Sequence, residues 1–265
     1  SACLVGSEMC IRDSRAIVGC NGKMGCFVAQ AVQSREDCNF LFGVDAFGES
    51  NYDFDVFKTF DEATETPDVI IDFSNPAALD GMLSYAVDNK VPCVICTTGF
   101  SKDQIAKIED AAKTIPVFYS GNMSLGINLL IELSKEAAKI LGNQFDIEIV
   151  EKHHNLKLDA PSGTALMIAD GISEQLDEDP QYVYDRHSYR RKRSKNEIGI
   201  HSVRGGTIVG EHEVIFAGHD EVVTISHQAQ SKEVFAVGAV NAAVFLKDQK
   251  AGMYNMGNLL SEKMN

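Results

Sequence analysis

Long hydrophobic runs are absent from this sequence of 265 residues. None approaches the roughly 20 apolar residues that a membrane-spanning helix requires, so we expect no membrane partner. Positive charge is also in deficit, since the formal net charge is −14. A surface that binds nucleic acid must offset phosphate charge, so nucleic acid is not an expected partner. Residues 1–14 lack the basic start and apolar centre of an export signal, and we expect a disordered or artificial leader.

Cysteine is scarce, and its seven copies are an odd number. Most lie in apolar or glycine-rich segments, which favours a reducing cytoplasm over a disulfide scaffold. Cys93 and Cys96 form a C-x-x-C pair that has two interpretations. A redox pair normally begins a helix, whereas these two lie within an apolar run, so we interpret them as buried strand residues.

The first half of the chain alternates apolar strands with amphipathic helices, which predicts a parallel sheet covered on both faces. The predicted strands of this half are residues 15–18, 40–45, 69–73, 91–96 and 116–119. Ligands of such sheets bind beyond the carboxyl ends of the strands. The fold class is therefore predicted to be α/β, with a Rossmann-like dinucleotide domain.

The second half has a different pattern. After a long helix come strand-like runs at 145–152, 198–203, 209–216 and 222–227. Runs of strands after a helix predict a second, α+β domain built on a mixed sheet. The chain then closes with an apolar helix over 234–246 and a shorter helical segment over 253–260.

Glycines mark the turn between the first predicted strand and helix, as Gly19, Gly22 and Gly25. Small residues there let the backbone approach a pyrophosphate, whose charge the helix dipole favours. The spacing is G-x-x-G-x-x-G rather than G-x-G-x-x-G, so an ordinary glycine-rich turn is the alternative. Asp45 supports the nucleotide interpretation, because it ends the second strand where a dinucleotide fold places its ribose-binding acid.

Asp45 also predicts which nicotinamide cofactor is preferred. Its carboxylate would repel the 2′-phosphate of NADPH, and the next residue is Ala46 rather than an arginine. We therefore expect a preference for NADH over NADPH.

Residues 153–165 combine proton carriers, a cation and a predicted helix start. The imidazoles of His153 and His154 can work near neutral pH, and the Lys157 ammonium can donate a proton or pair with a carboxylate. Pro161 and Ser162 are helix start signals, and the free N–H groups of that helix would face an anion. Such a site suits an acidic substrate that gains or loses a proton.

Two other interpretations of this segment are open. The histidines and the Asp-Ala-Pro-Ser-Gly run could form only a strand-to-helix turn, although so many reactive groups rarely converge for that purpose. A zinc site is the second, and its ligands would be His153, His154, His201 and His212. Adjacent histidines lack the i, i+4 spacing of helical metal ligands and no cysteine is near, so we predict no metal.

A dense basic patch covers residues 190–193. We interpret it as a solvated loop, because the rest of the chain is strongly acidic. The alternative is that it guides an anionic substrate towards the site.

The segment 151–165 resembles the signature of 4-hydroxy-tetrahydrodipicolinate reductase, an enzyme family of bacterial and plant lysine and diaminopimelate synthesis. The resemblance extends from about Arg15 to the carboxyl end. Other segments similar to family motifs follow in the family's order, at 18–25, 71–74, 97–100, 121–126 and 209–212.

This resemblance implies the NAD(P)H-dependent reduction of 4-hydroxy-tetrahydrodipicolinate, a cyclic dicarboxylate, to tetrahydrodipicolinate with loss of water. By position, it implies that His153 is a proton donor or acceptor and that Lys157 is the proton donor. The implied substrate-binding residues are His154, Gly163 and Thr164. The implied cofactor-binding residues are Gly19, Cys20, Asn21, Gly22, Lys23, Met24, Asp45, Cys96, Thr97, Thr98, Ser120, Gly121, Asn122 and Met123.

The resemblance also implies the domain organisation. Residues 15–124 and 234–265 would form the dinucleotide-binding domain, and 125–233 the substrate-binding and oligomerisation domain. Family members are homotetramers joined through the strands of the latter, and their domains close on the ligand. Two alternatives of other kinds are an amino-acid dehydrogenase with the same nucleotide fold and a non-catalytic NAD(H) sensor. A sensor, however, has no need of Lys157 beside two histidines.

Overall fold

A computed structural model describes residues 13–47 and 52–264. Its strands are β1 (Asp13–Val18), β2 (Cys38–Val44), β3 (Val56–Phe57), β4 (Val69–Asp72), β5 (Cys93–Ile95), β6 (Pro116–Tyr119), β7 (Asp146–His153), β8 (Gln181–Val183), β9 (Glu197–Arg204), β10 (Gly210–Ala217), β11 (Val222–Ala229) and β12 (Gly252–Tyr254). Its α-helices are α1 (Lys23–Gln33), α2 (Leu79–Asn89), α3 (Lys102–Ala111), α4 (Leu125–Leu141), α5 (Gly163–Ser173), α6 (Glu233–Leu246) and α7 (Met256–Met264).

The described residues form two compact units. The first holds residues 13–47, 52–120 and 236–255, and the second holds 121–235 and 256–264. Most of the expected leader lies outside the described residues. Asp13 and Ser14, which we assigned to that leader, are the first two residues of β1, where Ser14 N and Oγ both donate to Asp68 at 2.8 Å.

The first unit is a sheet of seven strands in the order β12-β6-β5-β4-β1-β2-β3. Every pair in it is parallel, which confirms the predicted α/β class. Consecutive residues Val69, Ile70 and Ile71 are fully buried, so both faces of β4 are covered. The strand order reverses between β1 and β4, and the turns that follow these two strands meet at the edge where such sheets bind ligands.

The carboxyl-terminal part of this unit differs from the prediction. Residues 253–260 do not form one helix, because Gly252–Tyr254 is a strand and the helix begins at Met256. The strand pairs with β6, whose edge it covers, and the Tyr254 ring packs against Phe245 with centroids 5.7 Å apart. Tertiary pairing therefore overrides a local helical pattern here.

The second unit is a mixed sheet in the order β11-β10-β7-β9-β8. Strands β7, β8 and β9 are parallel, and β10 is antiparallel to β7 and β11, as the α+β prediction requires. One face packs on helices through a cluster that includes Ile149, Ile168 and Val214. Helix α7 contacts α4 and groups with this unit, whereas we had placed residues 256–264 in the dinucleotide domain.

None of the helices in the two described ranges combines the length and the apolar character needed to cross a membrane.

Candidate active site

The glycine-rich turn of the first unit is a close approach of backbone to backbone. Gly19 has φ +76°, a left-handed conformation, and a Cβ there would lie 2.8 Å from the Phe73 carbonyl oxygen. A Cβ on Gly25 would lie 2.2 Å from the Gly19 carbonyl oxygen. Both positions therefore require glycine, and α1 starts directly against the turn. Gly22 precedes α1 and provides no side-chain cap, so the first N–H groups of the helix can donate hydrogen bonds to an anion.

Asp45 directly follows β2 and lies beside this turn. Asn21 N donates to one of its carboxylate oxygens and Phe47 N to the other, both at 3.1 Å. Gly19, Asn21 and Asp45 line a cavity of about 490 Å³. The sequence analysis missed one further lining residue, Lys58, which follows the two-residue strand β3.

Cys96 and Thr97 are both buried after β5, whereas Thr98 is exposed. Cys93 and Cys96 carry free thiols. Burial, assisted by the nearby Asp72 charge, raises the pKa of both thiols. A raised thiol pKa suits buried structural cysteines rather than a redox pair, which supports the interpretation of Cys93 and Cys96 as buried residues without a redox role.

The last four predicted cofactor residues, 120–123, divide between the units. Ser120 ends the first unit, and Gly121, Asn122 and Met123 begin the second. Within the second unit, Asn122 Nδ2 donates to Thr164 Oγ1 at 2.9 Å, and Asn122 Oδ1 accepts Ser124 N at 2.8 Å. A predicted cofactor residue and a predicted substrate residue are thus in direct contact.

Strand β7 carries the candidate catalytic histidine into this unit. Its alternation buries Ile147, Ile149, Glu151 and His153 on the helix-facing side. The buried residues of β7 therefore change from apolar to ionisable towards the carboxyl end of the strand. A buried carboxylate and imidazole are costly unless each is hydrogen-bonded, so their partners define the site.

Glu151 is fully buried and forms a cluster of strong hydrogen bonds. It lies 2.6 Å from His153 Nδ1, and two Arg204 nitrogens donate to its two oxygens at 2.8 and 2.7 Å. Ser162 N donates to it at 3.1 Å. Burial alone would raise the pKa of Glu151, but the hydrogen bonds, led by that from Arg204, outweigh it and lower the pKa to about 2. Glu151 is therefore an anion at neutral pH.

The protonation of His153 follows from this contact. An ionised carboxylate only accepts hydrogen bonds, so Nδ1 carries the hydrogen and Nε2 is the acceptor. Burial lowers the pKa of His153 despite the opposing effect of Glu151, so the ring is neutral near pH 7. Its Nε2 faces Gly210, where a Cβ would approach to 3.2 Å.

His212, on β10, adds a second buried imidazole. Its ring meets that of His153 edge-on with centroids 5.2 Å apart, and its Nε2 lies 3.1 Å from Ser162 Oγ. Burial first, and then the neighbouring His153, lower the pKa of His212 to about 3. Ser162 Oγ also accepts Ala165 N and caps α5, so the predicted helix start is linked to both histidines.

Lys157 lies in the turn between β7 and α5. Its Nζ is 2.8 Å from Asp159 Oδ1, and its side chain is largely buried. The Lys157 ammonium in turn lowers the pKa of Asp159. His154 is half-buried beside this turn, while Gly163 and Thr164 form the first residues of α5.

The four histidines of the zinc alternative do not converge on one point in the described residues. His201 Nε2 bonds Glu148 at 2.7 Å on the sheet face opposite His153. Across residues 13–47 and 52–264, no three histidine, cysteine or carboxylate side chains are placed to hold a metal ion.

Two of the four basic residues at 190–193 form ion pairs. Arg193 binds Asp146 and Glu148, and Arg191 binds Glu197 while it lies over the Tyr189 ring. Arg193 is largely buried, so it is not a freely solvated charge, whereas Arg191 is more than half exposed.

Comparison with known proteins identifies the family. Models of the amino-terminal and carboxyl-terminal parts of dihydrodipicolinate reductase match residues 14–123 and 126–260. The chain belongs to the dihydrodipicolinate reductase family. A 4-hydroxy-tetrahydrodipicolinate reductase from Caldanaerobacter subterraneus subsp. tengcongensis is 54% identical over 93% of this chain and 97% of its own. One from Clostridium tetani is 49% identical over 92% of this chain and 96% of its own.

A solved structure agrees with this assignment. A dihydrodipicolinate reductase from Paenisporosarcina sp. TG-14, with dipicolinate bound, is similar with a TM-score of 0.78 and 25% identity. The match covers 94% of this chain and 99% of that one. The predicted family resemblance is therefore confirmed, and it extends over both units.

Besides Lys58, the sequence analysis left three features of the candidate site in the second unit unassigned. Glu151 and Arg204 received no role, and the contact of Ser162 with a histidine was not foreseen. His212 was considered only as a possible zinc ligand. The alternation of β7 could have revealed Glu151, because it lies two residues before His153 on the same face. Arg204 and His212 come from strands β9 and β10, so only the sheet register places them there.

Proposed function

We propose that this chain catalyses the NAD(P)H-dependent reduction of 4-hydroxy-tetrahydrodipicolinate to tetrahydrodipicolinate, in lysine and diaminopimelate biosynthesis. One observation carries the proposal: a carboxylate-held imidazole, a lysine ammonium and a helix start converge in the second unit. This set suits a substrate ring that carries two carboxylates. A carbon of that ring must take up a proton when hydride is added. The names and similarity of the relatives support the same reaction.

The glycine-rich turn fits a dinucleotide. Gly19 and Gly25 exclude a Cβ, so main-chain atoms can approach a pyrophosphate at the start of α1. Asp45 is placed by its two backbone contacts to accept ribose hydroxyls. The reduced nicotinamide, when bound, supplies the hydride.

NADH is the preferred form in this proposal. The Asp45 carboxylate is fixed by two backbone N–H groups and would repel a 2′-phosphate. Lys58 lines the same cavity and would attract that phosphate, but its charge is carried on a flexible stem. We therefore expect Asp45 to dominate, and Lys58 to permit some use of NADPH.

The second unit supplies the groups for an anionic substrate. Ser162 N donates to Glu151, and Ser162 Oγ takes Ala165 N. The first-turn N–H groups of Gly163 and Thr164, which the helix itself does not use, are then available to a substrate carboxylate. Lys157 pairs with a carboxylate in this structure and so has the charge and reach to hold one or to donate a proton.

Proton transfer is assigned to two residues. Loss of water from 4-hydroxy-tetrahydrodipicolinate gives a conjugated ring. Hydride addition to that ring leaves a carbanion-like carbon, and Lys157 donates the proton that this carbon needs. Asp159 then stabilises the ammonium when Lys157 is reprotonated. His153 exchanges a proton through Nε2, which its contact with Glu151 leaves as an acceptor.

A coupled assay tests the proposed reaction. The upstream synthase with pyruvate and aspartate semialdehyde generates the unstable substrate, and the loss of reduced-nicotinamide absorbance reports its reduction. We expect turnover with both cofactors and a higher kcat/KM for NADH. If NADH is consumed equally fast when the synthase is omitted, or is not consumed at all, the proposed function is wrong. A strong preference for NADPH would contradict only the cofactor assignment.

We also propose a homotetramer joined through the mixed sheet of the second unit. Val203 and Val222 are exposed on the sheet face that the helices do not cover. Exposed apolar residues on a sheet face are typical of a subunit interface. Sedimentation velocity should give a single tetrameric species, and a concentration-independent monomer would contradict this assignment.

A further inference from the structure

The proposed proton transfer assigns no role to Glu151. Glu151 is fully buried, yet it touches the histidine, the helix start and an arginine at once. A buried ion pair adds little net stability compared with well-packed apolar residues, because both charges must be removed from water. General stability therefore does not account for Glu151.

We propose that Glu151, held by Arg204, is a positioning residue that fixes the ring orientation and the tautomer of His153. This inference rests on the proposed function, because it explains how His153 is prepared to exchange a proton. Glu151 is not assigned a contact with substrate, and so it acts only through the histidine.

The geometry defines the tautomer. The 2.6 Å contact joins Glu151 Oε2 to His153 Nδ1, and an anionic oxygen at that distance requires a hydrogen on Nδ1. Nε2 is therefore unprotonated in the neutral ring and faces Gly210. Without the carboxylate, imidazole in water places its hydrogen on either nitrogen, and the ring can also rotate.

Arg204 explains why Glu151 itself cannot turn. Its Nη1 and Nη2 donate to the two carboxylate oxygens, at 2.8 and 2.7 Å, in the fork geometry that arginine favours. Nη2 also donates to the Asp159 main-chain oxygen at 2.7 Å. Because Asp159 pairs with Lys157, one guanidinium fixes both the histidine and the segment that carries the lysine.

The same strand offers a matched control. Glu148 also accepts from a histidine, His201 at 2.7 Å, and from two arginines, Arg186 at 2.6 Å and Arg193 at 3.0 Å. This second cluster lies on the opposite face of the sheet and includes no proposed catalytic residue. If both clusters served only to stabilise the fold, replacement of Glu151 and replacement of Glu148 should have the same effects.

The decisive experiment compares Glu151→Gln with Glu148→Gln. Solid-state 15N NMR of protein labelled at the histidine nitrogens reports which nitrogen is protonated, and the His153→Asn spectrum identifies the His153 signal. We expect Nδ1–H in the unmodified protein and in Glu148→Gln, and a mixture of tautomers in Glu151→Gln. An unchanged His153 tautomer in Glu151→Gln would overturn the proposal. This readout needs no substrate, so it is independent of the proposed reaction.

Kinetics separate positioning from stability. Glu151→Gln should lower kcat by about a hundredfold, within the usual range of general acid–base effects, with a much smaller change in KM. The double variant Glu151→Gln/Arg204→Gln removes the unpaired guanidinium and should recover thermal stability but not kcat. If the double variant recovers kcat as well, Glu151 serves only to neutralise Arg204 and the inference fails.

The pH profile gives a third readout. The ionisable groups around His153 are Glu151 on its own strand, Lys157 in the following turn, Arg204 on β9 and His212 on β10. Of these, Glu151 raises the pKa of His153, so its neutralisation should move the acid limb of kcat to lower pH. An acid limb that stays in place would contradict the contact. An inactive unmodified protein would instead contradict the proposed function.

Discussion

Replacement of Gly25 by alanine tests the geometry of the nucleotide turn. The new Cβ would lie 2.2 Å from the Gly19 carbonyl oxygen and 2.6 Å from Cys20 Cα. These are main-chain atoms that cannot rotate away, so α1 must withdraw by roughly 1 Å to reach ordinary contact. Such overpacking costs about 1–3 kcal/mol, and the better helix propensity of alanine offsets only about 1 kcal/mol of it.

The larger effect should be on the cofactor. The withdrawal moves the first N–H groups of α1 away from the pyrophosphate, and a loss of about 1.4 kcal/mol is a tenfold loss of affinity. We therefore expect Gly25→Ala to weaken NADH binding by at least about tenfold. NADH fluorescence can measure this affinity, because the reduced nicotinamide is excited at wavelengths that the protein itself does not absorb.

Gly81→Ala is the matched control. Gly81 is also inside a helix, but a Cβ there would meet nothing within 4 Å. This variant should gain up to about 1 kcal/mol of stability and bind NADH normally. If Gly25→Ala also binds NADH like the unmodified protein, the turn does not hold the pyrophosphate and our account of it is refuted.

Three other outcomes are expected. Lys157→Ala should slow turnover by roughly a hundredfold in the coupled assay. Its control is Leu158→Ala, a change at an exposed neighbour, which should leave turnover unchanged. If Lys157→Ala retains full activity, Lys157 is not the proton donor. Lys58→Ala should lower kcat/KM for NADPH more than for NADH, and an equal loss would argue against a phosphate contact. The pKa of His212 falls from 6.5 to about 3 on folding, so the unfolded chain takes up this proton first. Stability in urea should therefore decline as the pH falls from 6.5 towards 3, and less steeply in His212→Gln; identical slopes would exclude this contribution.

Long, strongly patterned elements of this fold were predictable. The consecutive apolar residues of β4 predicted a strand buried on both faces. Strands β3, β8 and β12 have only two or three residues each, too few to show a period. They exist because a longer neighbouring strand provides a partner.

The candidate site was predictable where the chemistry is contiguous in sequence. His153, Lys157 and the start of α5 lie within eleven residues, from 153 to 163. Arg204 and Lys58 could not be found in the same way, because an arginine or lysine alone does not reveal which distant strand it will meet. Glu151 was predictable only in part. The alternation of β7 puts it on the same face as His153, but the pattern does not show that this face is buried.

The chain leaves the first sheet after β6 and returns to it only through α6 and β12. A fragment cut near residue 120 would therefore expose the backbone edge of β6 and deprive Phe118 of the Phe245 ring, whose centroid lies 6.2 Å away. A bare edge of that kind invites pairing with other molecules. The nucleotide-binding half cannot be excised with a single break, and a soluble version would need residues 236–255 grafted back by a short linker.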